Sequence, residues 1–167
     1  MTTQIEYALM SANVYGNYPD VNGKNPVRSG NNNLPVPTGW TQITTPDYKQ
    51  NTPDTGFMAS VYTTGSEVVI AYAGTTDENP NDWLTGNLPA GTGLSNFNNF
   101  TGPVVATQVV QAAKLYLKVL KDPQFAGKTI SFTGHSLGGG LASLMAVYFN
   151  QTAMVFDGKI RVRVKFP

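Results

Sequence analysis

Gly134-His135-Ser136-Leu137-Gly138 carries the spacing GxSxG. A serine so placed can act as a nucleophile if the backbone turns sharply at it. The flanking residues supply the setting for such a turn. Ile130 and Phe132 alternate with Ser131 and Thr133 ahead of it, as in a strand, and Leu137, Leu141, Leu144, Met145 and Tyr148 follow on one side of a helical pattern. Strand, sharp turn and helix come in the order a nucleophile elbow requires. Gly134 and Gly138 leave room for strand and helix to approach each other. The expected result is a hydroxyl held above the sheet edge, with the helix N-terminus and the Leu137 N–H facing any negative charge that develops beside it. His135 adjoins Ser136, so its side chain is expected to leave the turn in another direction. It reads as a packing or hydrogen-bonding histidine rather than the general base.

Composition narrows what this serine could serve. The 167 residues are one domain's worth of chain. A net charge of +1 with 13% charged residues gives no pull toward nucleic acid or an anionic membrane. The sequence has no cysteine and one histidine, which argues against disulfide scaffolds, thiolate metal sites and zinc. The start, MTTQIEYALM, lacks a basic segment followed by a long apolar run, so no N-terminal signal peptide is expected there. No stretch is long and apolar enough to span a bilayer. Many Asn, Thr and Gly residues and few charges suit a secreted, extracellular bacterial protein, with the export route left open.

The elements that must position the serine can be read in order. Ile5, Ala8, Leu9 and Ala12 predict one face of a short helix closing at Tyr15-Gly16, and Asn17 to Gly39 reads as loop. Trp40 to Thr44 predicts a brief strand, and Asn51 to Thr55 a turn. Phe57 to Thr63 and Glu67 to Ala73, around Thr64-Gly65-Ser66, predict a hairpin whose second strand is apolar enough to be covered on both faces. Residues 79–98 form a turn-rich stretch with apolar Trp83, Leu84, Leu88 and Leu94. They either anchor a long loop on the body or form a lid over a cleft.

From Thr101 the pattern predicts a helix with Val105, Val109, Ala112, Tyr116 and Leu120 inward, widened by Val110, Ala113 and Leu117. Gln108, Gln111, Lys114, Lys118 and Lys121 would look outward. Strand, long crossover and parallel strand make an α/β arrangement. Asp157-Gly158 reads as a turn. After it, Ile160, Val162 and Val164 alternate with Arg161, Arg163 and Lys165 in a strand whose basic side is solvated.

Ser131 to Ala146, SFTGHSLGGGLASLMA, resembles the nucleophile region of the class 3 lipases, an α/β-hydrolase family. Upstream, Val68 to Ala73 followed by Gly74-Thr75 resembles the family's strand ending in glycine and serine or threonine, and Asp82-Trp83 its Asp/Asn-Trp pair. An arginine usually precedes that glycine. Ala73 stands there instead, which alters the support of the oxyanion loop. The resemblance implies the first part, 1–167, of one α/β-hydrolase-type domain: a mostly parallel sheet flanked by helices, incomplete in this chain.

The resemblance also implies a mechanism. Ser136 would be acylated, and the oxyanion would receive hydrogen bonds from the N–H groups of Leu137 and Thr75 and from the Thr75 hydroxyl. Each such donor is worth roughly 2.7 to 4 kcal/mol by analogy with protease oxyanion holes. The implied activity is hydrolysis of carboxylic esters of lipids at a lipid–water interface, by a triacylglycerol lipase or a phospholipase. No metal or organic cofactor is needed for this chemistry, and calcium held elsewhere stays open.

A serine nucleophile also needs a base and a carboxylate, which in this family follow it in the order Ser, Asp, His. After Ser136 there is no histidine, and Asp157 is the sole acidic residue. Read as part of a turn rather than as a strand's end, Asp157 is not expected to be the triad acid. Three arrangements stay open. The chain could be part of a longer hydrolase, it could assemble with a second polypeptide that supplies Asp and His, or it could be an inactive relative that binds lipid or a partner.

Overall fold

The computed structural model describes residues 1–17, 34–52, 55–74, 103–157 and 160–164. The helices are α1 (Gln4–Asn13), α2 (Pro103–Lys121) and α3 (Leu137–Phe149). The strands are β1 (Thr41–Gln42), β2 (Lys49–Thr52), β3 (Phe57–Thr63), β4 (Glu67–Tyr72), β5 (Thr129–His135), β6 (Thr152–Asp157) and β7 (Ile160–Val164). They form one sheet in the order β1-β3-β4-β5-β6-β7, with β2 also pairing with β3.

Alternation along the strands sorts their side chains into two layers. Ala59, Val61, Val68, Ile70, Ile130, Phe132, Ala153 and Val155 pack under Ala112, Leu115, Tyr116 and Val119 of α2 and Leu141, Ala142, Met145 and Ala146 of α3. Met58, Tyr62, Val69, Ala71 and Met154 face the other way, against Tyr7 and Met10 of α1 and Val14 beyond it. The architecture is therefore α/β, with helices on both sides of the sheet. Every residue from Val68 to Tyr72 is buried, as expected of a strand covered on both faces.

The sheet is mixed, which corrects the expectation of a mostly parallel one. Only β4–β5 and β5–β6 are parallel; β1–β3, β2–β3, β3–β4 and β6–β7 are antiparallel. The connections explain this, because a short turn can join only antiparallel strands. Thr64 closes one such turn: its hydroxyl accepts from the Ser66 N–H and the Glu67 N–H. The β4 and β5 strands have α2 between them in the chain, as a parallel pair requires.

Several faces differ from the periodic reading. In α1 the buried stripe is Tyr7, Met10 and Ser11, continued by Val14, and Ile5 is 73% exposed. In α2 it is Gln108, Ala112, Leu115, Tyr116 and Val119, whereas Leu120 and Val110 are exposed. The Gln108 side-chain amide, expected outward, donates to the Thr55 carbonyl, and the Thr55 hydroxyl donates to Gln111 Oε1 at 2.9 Å. Tyr148 of α3 is 70% exposed rather than inward. The expected turn at Asn51 to Thr55 begins as the end of β2, and Asp157 closes β6 rather than standing in a turn. Residues 79–98, the Asp82-Trp83 pair and most of the 17–39 loop lie outside the described residues, as do the side chains on β7.

Candidate active site

The elbow forms where β5 runs into α3. Ser136 has φ 57° and ψ −126°, a conformation that costs a residue other than glycine on the order of 1–3 kcal/mol. The surroundings hold it there. Its N–H donates to the Phe156 carbonyl at 2.9 Å, and its own carbonyl accepts from the Gly140 N–H at 3.1 Å. The glycines allow the close approach on which the turn depends. A β-carbon on Gly134 would stand 2.3 Å from the Gly138 carbonyl atoms, and one on Gly138 2.2 Å from the Tyr72 carbonyl oxygen.

Ser136 stands at the N-cap of α3, where a serine hydroxyl normally accepts from the first turn of the helix. Here it makes no capping bond. The hydroxyl is thus not spent on capping and stands at the positive end of a helix dipole. The Leu137 side chain is buried, so what this residue can offer a ligand is its backbone N–H, one of the groups that α-helical hydrogen bonding leaves unused.

Thr75, the second expected oxyanion residue, lies outside the described residues, but its neighbour Gly74 is placed. Gly74 presses on the elbow: a β-carbon there would meet the His135 carbonyl oxygen at 2.5 Å, Tyr15 Oη at 2.8 Å and the Ser136 β-carbon at 3.2 Å. The Gly74 N–H donates to Tyr15 Oη at 2.8 Å. His135 is exposed, and its Nδ1 lies 3.5 Å from the same Tyr15 oxygen. The structure therefore brings Ser136, Leu137 and the residue before Thr75 to one place, together with Tyr15, which the sequence reading did not single out. That residue is 59 positions from Gly74, and only its helix-ending pattern was visible locally.

Beside the elbow, α1 and the ends of β5 and β6 frame a cleft of about 380 Å³, lined mainly by apolar groups of Ala8, Ala12, Leu34 and Phe156 with Tyr15 and His135. Among the described residues, no three His, Cys, Asp or Glu side chains gather in a way that could hold a metal ion. No helix among them is long and apolar enough to cross a membrane.

A family model described as phospholipase-like, the Tle-like phospholipase domain, matches residues 6–159. The chain belongs to that family. A curated relative, the extracellular phospholipase A1 of Serratia liquefaciens, is 34% identical over 102 residues, which are 61% of this chain. The matched stretch is 27% of that relative, so this Tle-like chain spans well under half the length of the protein it resembles.

Proposed function

We propose that this Tle-like domain carries the nucleophile and oxyanion side of a serine hydrolase that cleaves carboxylic ester bonds of glycerolipids. The observation that carries the proposal is Ser136 itself: a strained serine at a helix N-terminus whose hydroxyl is not spent on capping. Ser136 Oγ attacks the ester carbonyl carbon and gives its proton to a base. The tetrahedral oxyanion is held by the N–H groups of Leu137 and Thr75 and by the Thr75 hydroxyl. Its collapse expels the protonated alcohol and leaves an acyl-enzyme, which water then hydrolyses. The apolar cleft beside the elbow suits a fatty acyl chain.

The family and the Serratia relative favour phospholipids over triacylglycerols as substrate, and the relative's extracellular designation supports an extracellular place of action. The fold is read as an α/β-hydrolase related to the class 3 lipases, in keeping with the strand–elbow–helix unit. The chain's one histidine is the residue before the nucleophile and lies against Tyr15. The base of the triad is accordingly assigned to a residue outside this sequence, in the same protein or in a second polypeptide. The acid is proposed to come from there as well, although the strand-end position of Asp157 removes the ground on which the sequence reading set that residue aside.

The test is treatment of the natural full chain, with any polypeptide that accompanies it, with a fluorophosphonate, followed by peptide mass mapping. Ser136 should carry the phosphonyl group, and Ser136→Ala should lose both the adduct and the release of fatty acid from phosphatidylcholine vesicles. Labelling elsewhere, or undiminished turnover by Ser136→Ala, refutes the assignment. Faster release from triolein emulsions than from the vesicles would replace the phospholipid reading by the triacylglycerol one.

A further inference from the structure

Two backbone segments must be held at a fixed spacing if Ser136 is to attack a carbonyl whose oxygen is caught by donors on both sides. One is the elbow; the other is the end of β4 as it leaves through Ala73 and Gly74. Strand pairing fixes them only in part, because the β4–β5 ladder reaches Tyr72↔Gly134 and stops there. Beyond that rung the Ala73 N–H donates to the Met58 carbonyl at 3.0 Å, and the Ala73 backbone meets the elbow by packing alone, against Gly138, where an added β-carbon would stand 2.8 Å from the Ala73 oxygen.

The next tie is made by a side chain. Tyr15 follows α1 in the 3-10 turn Val14–Asn17, and its hydroxyl oxygen accepts from the Gly74 N–H at 2.8 Å while lying 3.5 Å from His135 Nδ1. One oxygen therefore touches the residue before the expected oxyanion donor and the residue before the nucleophile. Gly74 has no slack on that side, since an added β-carbon would strike both Tyr15 Oη and the His135 carbonyl. The Ala73 side chain is a methyl group and can supply no hydrogen bond in this role.

We propose that Tyr15 is a positioning residue for catalysis: packing brings the Gly74 peptide against the Ser136 elbow, and the Tyr15 hydroxyl, by accepting from the Gly74 N–H, fixes how that peptide is turned and with it the aim of the oxyanion donors. The inference rests on the ester-hydrolase reading above. Tyr15 takes no part in the bond changes. Its contribution is geometric, and misplacement of reacting groups by about 1 Å can cost on the order of 100-fold in rate.

The experiment compares wild type with Tyr15→Phe in the natural full chain, using p-nitrophenyl butyrate for turnover, a fluorophosphonate to titrate active sites, and a trifluoromethyl ketone with the same acyl group as an oxyanion-forming inhibitor. Expected for Tyr15→Phe is a kcat per titrated site lower by roughly 10-fold or more, KM within about twofold, and ketone affinity weakened by a factor similar to the loss in kcat. A purely structural role for the hydroxyl predicts something else: a lower melting temperature and fewer titratable sites, with kcat per site and ketone affinity unchanged. That result overturns the inference while leaving the hydrolase reading standing. A wild type that takes up no fluorophosphonate at Ser136 removes the hydrolase reading, and this inference with it. If Tyr15→Phe does not fold, a monofluorinated tyrosine at position 15, assayed below its pKa, keeps the ring and oxygen but weakens the oxygen as acceptor. A smaller fall in kcat with matching loss of ketone affinity is expected, and an unchanged kcat again overturns the proposal.

Discussion

The first turn of α3 rests on the end of β4 so closely that a β-carbon on Gly138 would stand 2.2 Å from the Tyr72 carbonyl oxygen. Backbone, not a flexible side chain, is the obstacle, so the helix itself would have to move. Gly138→Ala should therefore destabilise the protein on the order of 3 kcal/mol, the upper end of overpacking costs. Gly140, where an added β-carbon meets nothing within 4 Å, is the control. Gly140→Ala should match or slightly exceed wild-type stability in a urea titration.

The strain at Ser136 gives a prediction with opposite signs for stability and activity. With φ at 57°, the position suits glycine better than serine. Ser136→Gly should raise stability by roughly 1 kcal/mol, or a few degrees in Tm, while abolishing turnover. Ser136→Ala should abolish turnover without that gain, because alanine keeps the β-carbon that makes the conformation costly. Differential scanning calorimetry of the two variants separates the cases. Equal melting temperatures would mean that the turn stores no strain of this kind.

The elbow could be read from the sequence because its determinants are neighbours: alternation before the serine, helical spacing after it, glycines two residues to either side. The faces of α1 and α2 could not be read in the same way. In α1 the stripes Ile5/Ala8/Leu9/Ala12 and Tyr7/Met10/Ser11/Val14 both satisfy the helical period, and the hydroxyls of Tyr7 and Ser11 disguise the one that is buried. Gln111, Lys114, Lys118 and Lys121 mark the outer side of α2 but leave a wide apolar arc opposite, so periodicity alone does not fix which part of that arc is innermost, and Gln108 enters the interior because Thr55 offers it an acceptor. The β6 run, TAMVFD, carries no alternation, since both of its faces are covered. Tyr15 depends on a contact between distant parts of the chain that no local pattern encodes.

The polar side of β5 offers a further test. Ser131 and Thr133 alternate with Ile130 and Phe132 yet are buried, because α1 covers them. The Tyr7 hydroxyl donates to Ser131 Oγ at 2.9 Å, and Thr133 Oγ1 donates to the Met154 carbonyl at 2.8 Å. Tyr7→Phe deprives Ser131 of its donor and should cost about 1–2 kcal/mol. Tyr7→Phe with Ser131→Ala, which removes both partners, should cost less than the two single changes added together. A double-mutant cycle in denaturant measures the coupling, and strict additivity would argue against the bond.

Alkaline pH tests the far end of the α2 layer. Burial, and then the carboxylate of Asp122, to which the Tyr48 hydroxyl donates, raise the Tyr48 pKa from 10.0 to about 12. The raised value means that the folded state keeps a proton which the unfolded state releases. The stabilisation is therefore full below pH 10 and is lost as pH rises from 10 toward 12. Burial pushes Tyr62 and Tyr72 upward as well, so some of the alkaline slope belongs to them. Tyr48→Phe should be less stable than wild type at neutral pH and should lose stability less steeply across this window, leaving the slope due to the other two. Urea midpoints at half-unit steps above pH 9 read the difference. Parallel curves for the two proteins would mean that Tyr48 ionises in the fold as it does in the unfolded chain.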